Sequence, residues 1–179
     1  IRGITTYYPR AVTGLDQGFD YSRRNNYLKP VVGSALKIPF KDKSFDYVIS
    51  VDCIEHIPPK SRAKAVREML RVCRKQIYLT FPAGKHSQSV DAMLDNYFYK
   101  RNGEHFNYLV EHVENGLPGF DFIPSLITRE DGWTIKTVGN TSTWLWVLLL
   151  KMGFSNVPWQ TSIYRRLLLF IPFIKHANF

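Results

Sequence analysis

Residues 45–81 read FDYVISVDCIEHIPPKSRAKAVREMLRVCRKQIYLTF, and this stretch decides the fold class. Phe45 to Val51 is rich in β-branched and aromatic side chains, with apolar residues pointing to both faces. That is the pattern of a parallel strand covered on both sides by helices. Pro58-Pro59 follows, and a first helical turn tolerates proline because its N–H would have no partner there. Apolar residues then recur at Ala63, Val66, Met69, Leu70 and Cys73, with Lys60, Arg62, Lys64, Arg67, Arg71 and Arg74 largely opposite them, which predicts an amphipathic helix. Gln76 to Phe81 predicts the next strand, ended by Pro82 and Gly84. Strand, helix and strand form one crossover unit, right-handed in nearly all proteins. The expected class is α/β, a mostly parallel sheet with helices on both faces.

Upstream, Ala11 to Asp16 predicts a short strand that stops on a carboxylate, and Val31 to Ala35 a second apolar piece. Leu36 to Phe40 leads to the polar turn Lys41 to Ser44. Residues 1–10 end in Tyr7-Tyr8-Pro9-Arg10. Downstream, Val90 to Tyr99 and Glu104 to Asn115 predict helices, with a stop at Gly116 to Gly119. Trp133 to Val138 alternates like a strand, and Thr141 to Met152 reads as a buried helix closed by Gly153. The 179 residues suit one domain, and 24 basic against 15 acidic side chains leave a charge of +9. A hydrophobic content of 45% excludes a disordered tail and a disulfide scaffold. Cys53 and Cys73 form no CxxC pair and read as core thiols, so the expected compartment is reducing and cytoplasmic. The apolar runs Trp144 to Leu150 and Leu167 to Ile174 are far shorter than the roughly 20 residues that span a bilayer.

The segments Val12 to Asp16, Val31 to Phe40, Ser44 to Ser50, Glu55 to Pro58, Glu68 to Val72 and Leu79 to Gly84 together resemble the class I S-adenosylmethionine-dependent methyltransferases. The similarity is to the small-molecule subgroup with an LPF-x-x-x-x-FD signature. It runs through 73 residues, Val12 to Gly84, in the family's order. The resemblance implies a Rossmann-like sheet and S-adenosylmethionine as cofactor. It places Asp16 on the ribose hydroxyls, where a carboxylate at a strand end can accept two hydrogen bonds. Ser34 stands where the family usually has an aspartate for the adenine amino group, so a neutral and weaker acceptor is expected there. Ala35 and Leu36 would line the adenine, Leu36 offering its backbone N–H, and Ser50, Val51 and Asp52 the methionine side and the sulfonium. The family's Gly-rich loop does not occur in these residues, and the resemblance implies that residues 1–10 are the end of the helix after it, so the sheet is expected to be incomplete at its N-terminal side. The strands ending at Asp16 and Ser50 would then lack a shared neighbour.

Glu55 and His56 are the acid–base candidates, since histidine titrates near neutrality. In-line methyl transfer needs little beyond placement of the nucleophile and removal of its proton, and the resemblance implies a packing and cofactor-side role for the pair as the alternative. Residues 85–130 are expected to cover the substrate within a single domain, 1–179. His105 and His112, with Glu111, sit on one expected helix and are candidate acceptor contacts. A His-x6-His pair lacks a third ligand, so no metal site is expected. Tyr97, Phe98, Tyr99, Phe106 and Tyr108 suit stacking or a core, and Trp144, Trp146 and Trp159 a core. The basic, apolar segment 162–175 suits contact with an anionic membrane surface. The expected function is methyl transfer to a small-molecule or glycan-type acceptor. The alternatives are an RNA methyltransferase, which the scattered basic residues do not favour, and a non-catalytic scaffold subunit.

Overall fold

The computed structural model describes residues 9–21, 26–128, 131–139 and 142–154. The helix end expected over 1–10 falls almost wholly outside these residues, as do Trp159 and the segment 162–175. The chain groups into two compact units that meet between Phe81 and Pro82.

The first unit holds four strands and one long helix. Strand β1 (Val12–Asp16) pairs in parallel with β2 (Leu28–Val32), and β3 (Phe45–Val51) in parallel with β4 (Cys73–Thr80). The described strands therefore form two separate two-stranded pairs, β1 and β3 belonging to different ones. Among the described residues the sheet is thus interrupted between the strand ending at Asp16 and the one that carries Ser50, the two expected to lack a shared neighbour. Pro30 in β2 lacks an N–H, which suits a strand with an open edge. The expected second strand begins three residues earlier than Val31, because register pairs Val12 with Leu28 and Asp16 with Val32.

Helix α1 (Pro59–Val72) passes into β4 with no loop, Cys73 turning extended at φ −87° and ψ 140°. Its buried side is Arg62, Ala65, Val66, Met69 and Val72. Arg62, expected on the solvent side, is thus turned inward. Cys73 is buried as expected, its thiol on the carbonyls of Gln76 at 3.2 Å and Asp46 at 3.6 Å. Only one face of the β3–β4 pair is covered. Tyr47, Ile49 and Val51 of β3, and Tyr78 opposite Ile49, remain exposed, while Ser50 is buried. The expectation of helices on both faces is not met among the described residues, where α1 packs on this pair and the side of Tyr47, Ile49 and Val51 stays exposed.

Arg71 and Glu68, one turn apart on α1, hold the loop between β2 and β3. Arg71 donates from Nη1 to the Phe40 carbonyl at 2.8 Å and from Nη2 to the Ile38 carbonyl at 3.0 Å, and pairs with Asp42 at 2.7 Å. Glu68 accepts from Arg71 Nε and Nη2, each at 2.8 Å, and from the Ile38 N–H at 2.8 Å. The Arg71 carbonyl accepts from Lys43, a residue at φ +54°. A planar guanidinium can serve these acceptors at once; a lysine cannot. At the strand edge, Arg74 and Lys75 beside Asp46 hold its carboxyl below the usual range.

The second unit contains α2 (Gly84–Asn102), α3 (Asn107–Asn115), α4 (Phe122–Leu126) and α5 (Thr143–Gly153). Leu94, Leu109 and Leu149 are buried, and the Phe98, Phe106 and Phe154 rings meet at centroid distances of 4.8 to 5.2 Å. Gly84 starts α2 at φ +84°, where a Cβ would stand 2.8 Å from Phe120, so only glycine suits the position. Residues 133–138, expected as a strand, have no ladder partner and no regular structure. Helix α5 was expected to be buried, yet Leu149 is its one buried residue, Trp144 is 74% exposed and Trp146 is 37% exposed.

The Arg71 guanidinium and the Ile38 N–H hold the Glu68 carboxyl at about 2, against a usual 4.5. Because the folded value is the lower one, the stability this group contributes is complete above about pH 4.5 and is lost as pH falls toward 2. We expect Glu68→Gln to cost about 1 kcal/mol at neutral pH, since solvent screens much of the pair. Urea unfolding from pH 7 to pH 2 should show the variant with a flatter acid slope than the parent protein.

Candidate functional site

Asp16 ends β1 with its side chain exposed. Among the described residues its carboxylate accepts one long hydrogen bond, from the Gly18 N–H at 3.3 Å, which leaves acceptor capacity on both oxygens. Its carbonyl accepts from Gly33 at 2.9 Å, carrying the β1–β2 pairing one residue past the strands. Gly33 approaches so closely that a Cβ there would lie 2.8 Å from Leu15 Cδ1. The chain then turns over Ser34, Ala35 and Leu36, with Lys37 donating to the Ser34 carbonyl at 3.1 Å. Ser34 Oγ accepts from the Leu36 N–H at 3.2 Å. The Leu36 amide, expected to face a ligand ring, is thus taken up by the turn. The Ser34 hydroxyl keeps its proton and a second lone pair.

The other strand end is shaped by Asp52. This residue takes the left-handed conformation, φ +46°, which aspartate tolerates better than most side chains. Its N–H donates to Thr80 at 2.9 Å, anchoring the turn to the end of β4. The reversal leads into Cys53 and the 3-10 turn Ile54–His56. Ser50, buried at the end of β3, hydrogen-bonds the Cys53 sulfur; Val51 is exposed. Burial pushes the Cys53 thiol up, and the negative charges of Glu55 and Asp16 push it further. The charge on β1 therefore acts on the residue that follows β3. Asp16, Ser50, Asp52, Cys53 and Glu55 share the carboxyl-end side of the first unit. Cys53 is only half buried, not the core thiol expected, and sequence reasoning missed it.

Glu55 is fully buried, and so, nearly, is Arg62. Arg62 Nη2 donates to the Glu55 carbonyl at 3.1 Å and Nε to the Ile57 carbonyl at 2.8 Å. Burial pulls the Arg62 guanidinium below its usual value while the Glu55 charge opposes that shift. The Glu55 charge thus offsets part of the burial of Arg62, and Arg62 fixes the turn that carries His56. His56 is half buried at the end of this turn.

In the second unit His105 precedes α3 and His112 lies on it, so the two do not share a helix as expected. Each meets an aspartate of α2: His105 Nδ1 lies 2.7 Å from Asp95, and His112 Nδ1 lies 2.8 Å from buried Asp91. Asp91 also accepts from Trp146 Nε1 at 3.4 Å, and Asp95 from the Phe106 N–H at 2.8 Å. Aspartates spaced by four on one helix were the signal for these partners, and it went unread. Tyr99 stacks on His105 at 4.5 Å and 17°, whereas Phe98 and Phe106 belong to the aromatic core.

Comparison with known proteins now bears on the first unit. Residues 3–81 match the family model of the methyltransferase domain. Two curated plant proteins from Rauvolfia serpentina, norajmaline N-methyltransferase and ajmaline N-methyltransferase, are each 51% identical to this chain over 41 residues. Those residues are 23% of this chain and span only 13% of the length of either relative. The methyl donor that the methyltransferase domain implies is S-adenosylmethionine. The residues present fit its ribose: the exposed Asp16 carboxylate at a strand end has free lone pairs for a diol. At the adenine side the fit is different in kind, since Ser34 supplies a neutral hydroxyl already engaged with Leu36.

If Asp16 and Cys53 share this corner, Asp16→Asn removes one of the charges that raise the thiol. In a Cys73→Ala background, we expect Asp16→Asn to speed alkylation of Cys53 by iodoacetamide at pH 8, by less than Glu55→Gln does, since Asp16 is the weaker of the two charges on the thiol. An unchanged rate would separate the two strand ends.

Proposed function

We propose that this chain transfers a methyl group from S-adenosylmethionine to a small-molecule or glycan-type acceptor. The observation that carries the proposal is the acidic corner of the methyltransferase-like unit. Asp16 and Asp52 stand exposed at the ends of two parallel strands, and the Asp16 charge reaches Cys53. In open parallel sheets, ligands bind beyond the carboxyl ends of the strands.

When bound, the donor supplies an electrophilic methyl on a sulfonium, which needs no further activation by the protein. The chain's part is to bind and orient. Asp16 accepts the ribose hydroxyls, and the Ser34 hydroxyl, held in its turn by Leu36, faces the adenine side. Ser50, Val51 and Asp52 form the wall on the methionine side, where a carboxylate favours a positive sulfur. Arg62, which donates to the Glu55 and Ile57 carbonyls, keeps the 3-10 turn in place. His56, at the end of that turn, is assigned the acceptor's proton. Acceptor choice is assigned to residues 85–130, including His105 and His112. Both relatives are named for nitrogen methylation, so small-molecule amines are the first acceptors to test.

Calorimetric titration with S-adenosylhomocysteine should give saturable binding, and Asp16→Ala should weaken it at least about tenfold, since hydrogen bonds to a charged group contribute about 1.5–3 kcal/mol. His56→Gln should lower methyl transfer while leaving that binding unchanged. Absence of binding to the parent protein would overturn the enzymatic reading in favour of a scaffold subunit. Transfer to RNA in preference to small acceptors would replace the substrate class.

A further inference from the structure

The charges of this chain are divided sharply along the sequence. All 15 acidic residues lie in residues 1–131, and residues 132–179 contain none, although at the chain's average density they would hold about four. The same 48 residues carry Lys136, Lys151, Arg165, Arg166 and Lys175, a local charge of +5, together with all four tryptophans of the protein. Basic side chains without acidic neighbours, mixed with tryptophan, leucine and isoleucine, are the composition of a segment that meets anionic headgroups.

The described part of this stretch adds a geometric observation. Helix α5 carries a single charged residue, Lys151, and is apolar on nearly every side, yet Leu149 is the one residue it buries. Trp144 is 74% exposed and Leu148 39% exposed. They are one helical turn apart, and Lys151 follows three residues later along the same side. Val138, just upstream, is 61% exposed. Trp146 is set apart from this edge by its bond to Asp91, so its role is internal. Lys151 is half-buried, its ammonium 5.3 Å from the centre of the Tyr97 ring, so the exposed edge is the apolar pair Trp144 and Leu148, which suits the apolar side of a bilayer surface. The eleven residues of α5 are too few to span a bilayer, for which about 20 are needed, so contact is with the surface.

We propose that residues 132–179, with the Trp144–Leu148 edge of α5 as the inserting element, bind the surface of an anionic lipid bilayer. Nucleic acid shares the attraction to lysine and arginine, but it offers no apolar medium for Leu148 or for the Leu-Leu-Leu-Phe-Ile run at 167–171.

The test is co-sedimentation of the full chain with vesicles. It should bind vesicles of phosphatidylglycerol mixed with phosphatidylcholine, bind pure phosphatidylcholine at least tenfold more weakly, and lose affinity as salt rises. Trp144→Ser, at an exposed site, should weaken binding severalfold with an unchanged circular dichroism spectrum. Arg165→Glu combined with Arg166→Glu should weaken it about tenfold or more. No binding to the anionic vesicles, equal binding to neutral ones, or undiminished binding by both variants would overturn the proposal. So would preferential binding of polyuridylate that competes the vesicles away. If one variant fails to fold, the other and the anionic-to-neutral ratio decide.

Discussion

Arg71 and Glu68 are the pair on which the first unit's geometry depends. The loop between β2 and β3 has little regular structure, and its backbone groups at Ile38 and Phe40 need partners away from water. One guanidinium and one carboxylate on α1 supply them, and the same loop carries the turn at Ser34 to Lys37. Without this clasp the crossover helix could still form from its amphipathic pattern. The end of β2, however, would lose its fixed relation to α1. A residue pair that reads in sequence as part of a helix's polar face is in fact what ties strand end to helix.

Electrostatics of the candidate corner run against the charge of the whole chain. The protein carries +9, yet Asp16, Asp52 and Glu55 gather at the carboxyl-end side of the first unit, with Arg62 buried in the same layer as Glu55. Charged groups at strand ends are not needed for packing, and a buried carboxylate is costly unless compensated. The basic excess lies elsewhere, above all in the acid-free residues 132–179. A corner suited to a cationic sulfur and a segment suited to anionic lipid can therefore coexist in one chain, because the fields fall off within a Debye length of about 8 Å at physiological salt.

Much of the fold was legible from local pattern. Phe45 to Val51 is a strand with the expected bounds, and the helix between Pro58 and Cys73 follows its three-and-four spacing. The misreadings have physical causes. Charge usually faces solvent, but the Glu55 and Ile57 carbonyls of the preceding turn give Arg62 internal partners, and the Glu55 charge favours the cation there. Residues 133–138 alternate like a strand and yet pair with nothing, since alternation describes two faces and does not supply a neighbour. Helix α5 was taken as buried because of its composition. Burial depends on what packs against a helix, and among the described residues Leu149 alone is covered.

The site divides in the same way. Sequence by itself determined that β1 stops on Asp16, because a carboxylate after a β-branched run marks the point where the chain leaves the sheet; β2 ends at Val32, two residues before Ser34, and β3 at Val51, one past Ser50. It also determined the resemblance to methyltransferases, which depends on an ordered set of short motifs. Only the tertiary structure decided that Asp16 acts on Cys53, that Leu36 spends its N–H on Ser34, and that His105 and His112 answer to separate aspartates. Those are relations across space, set by strand pairing and helix packing, and a one-dimensional pattern holds no distance between residues that the chain brings together only on folding.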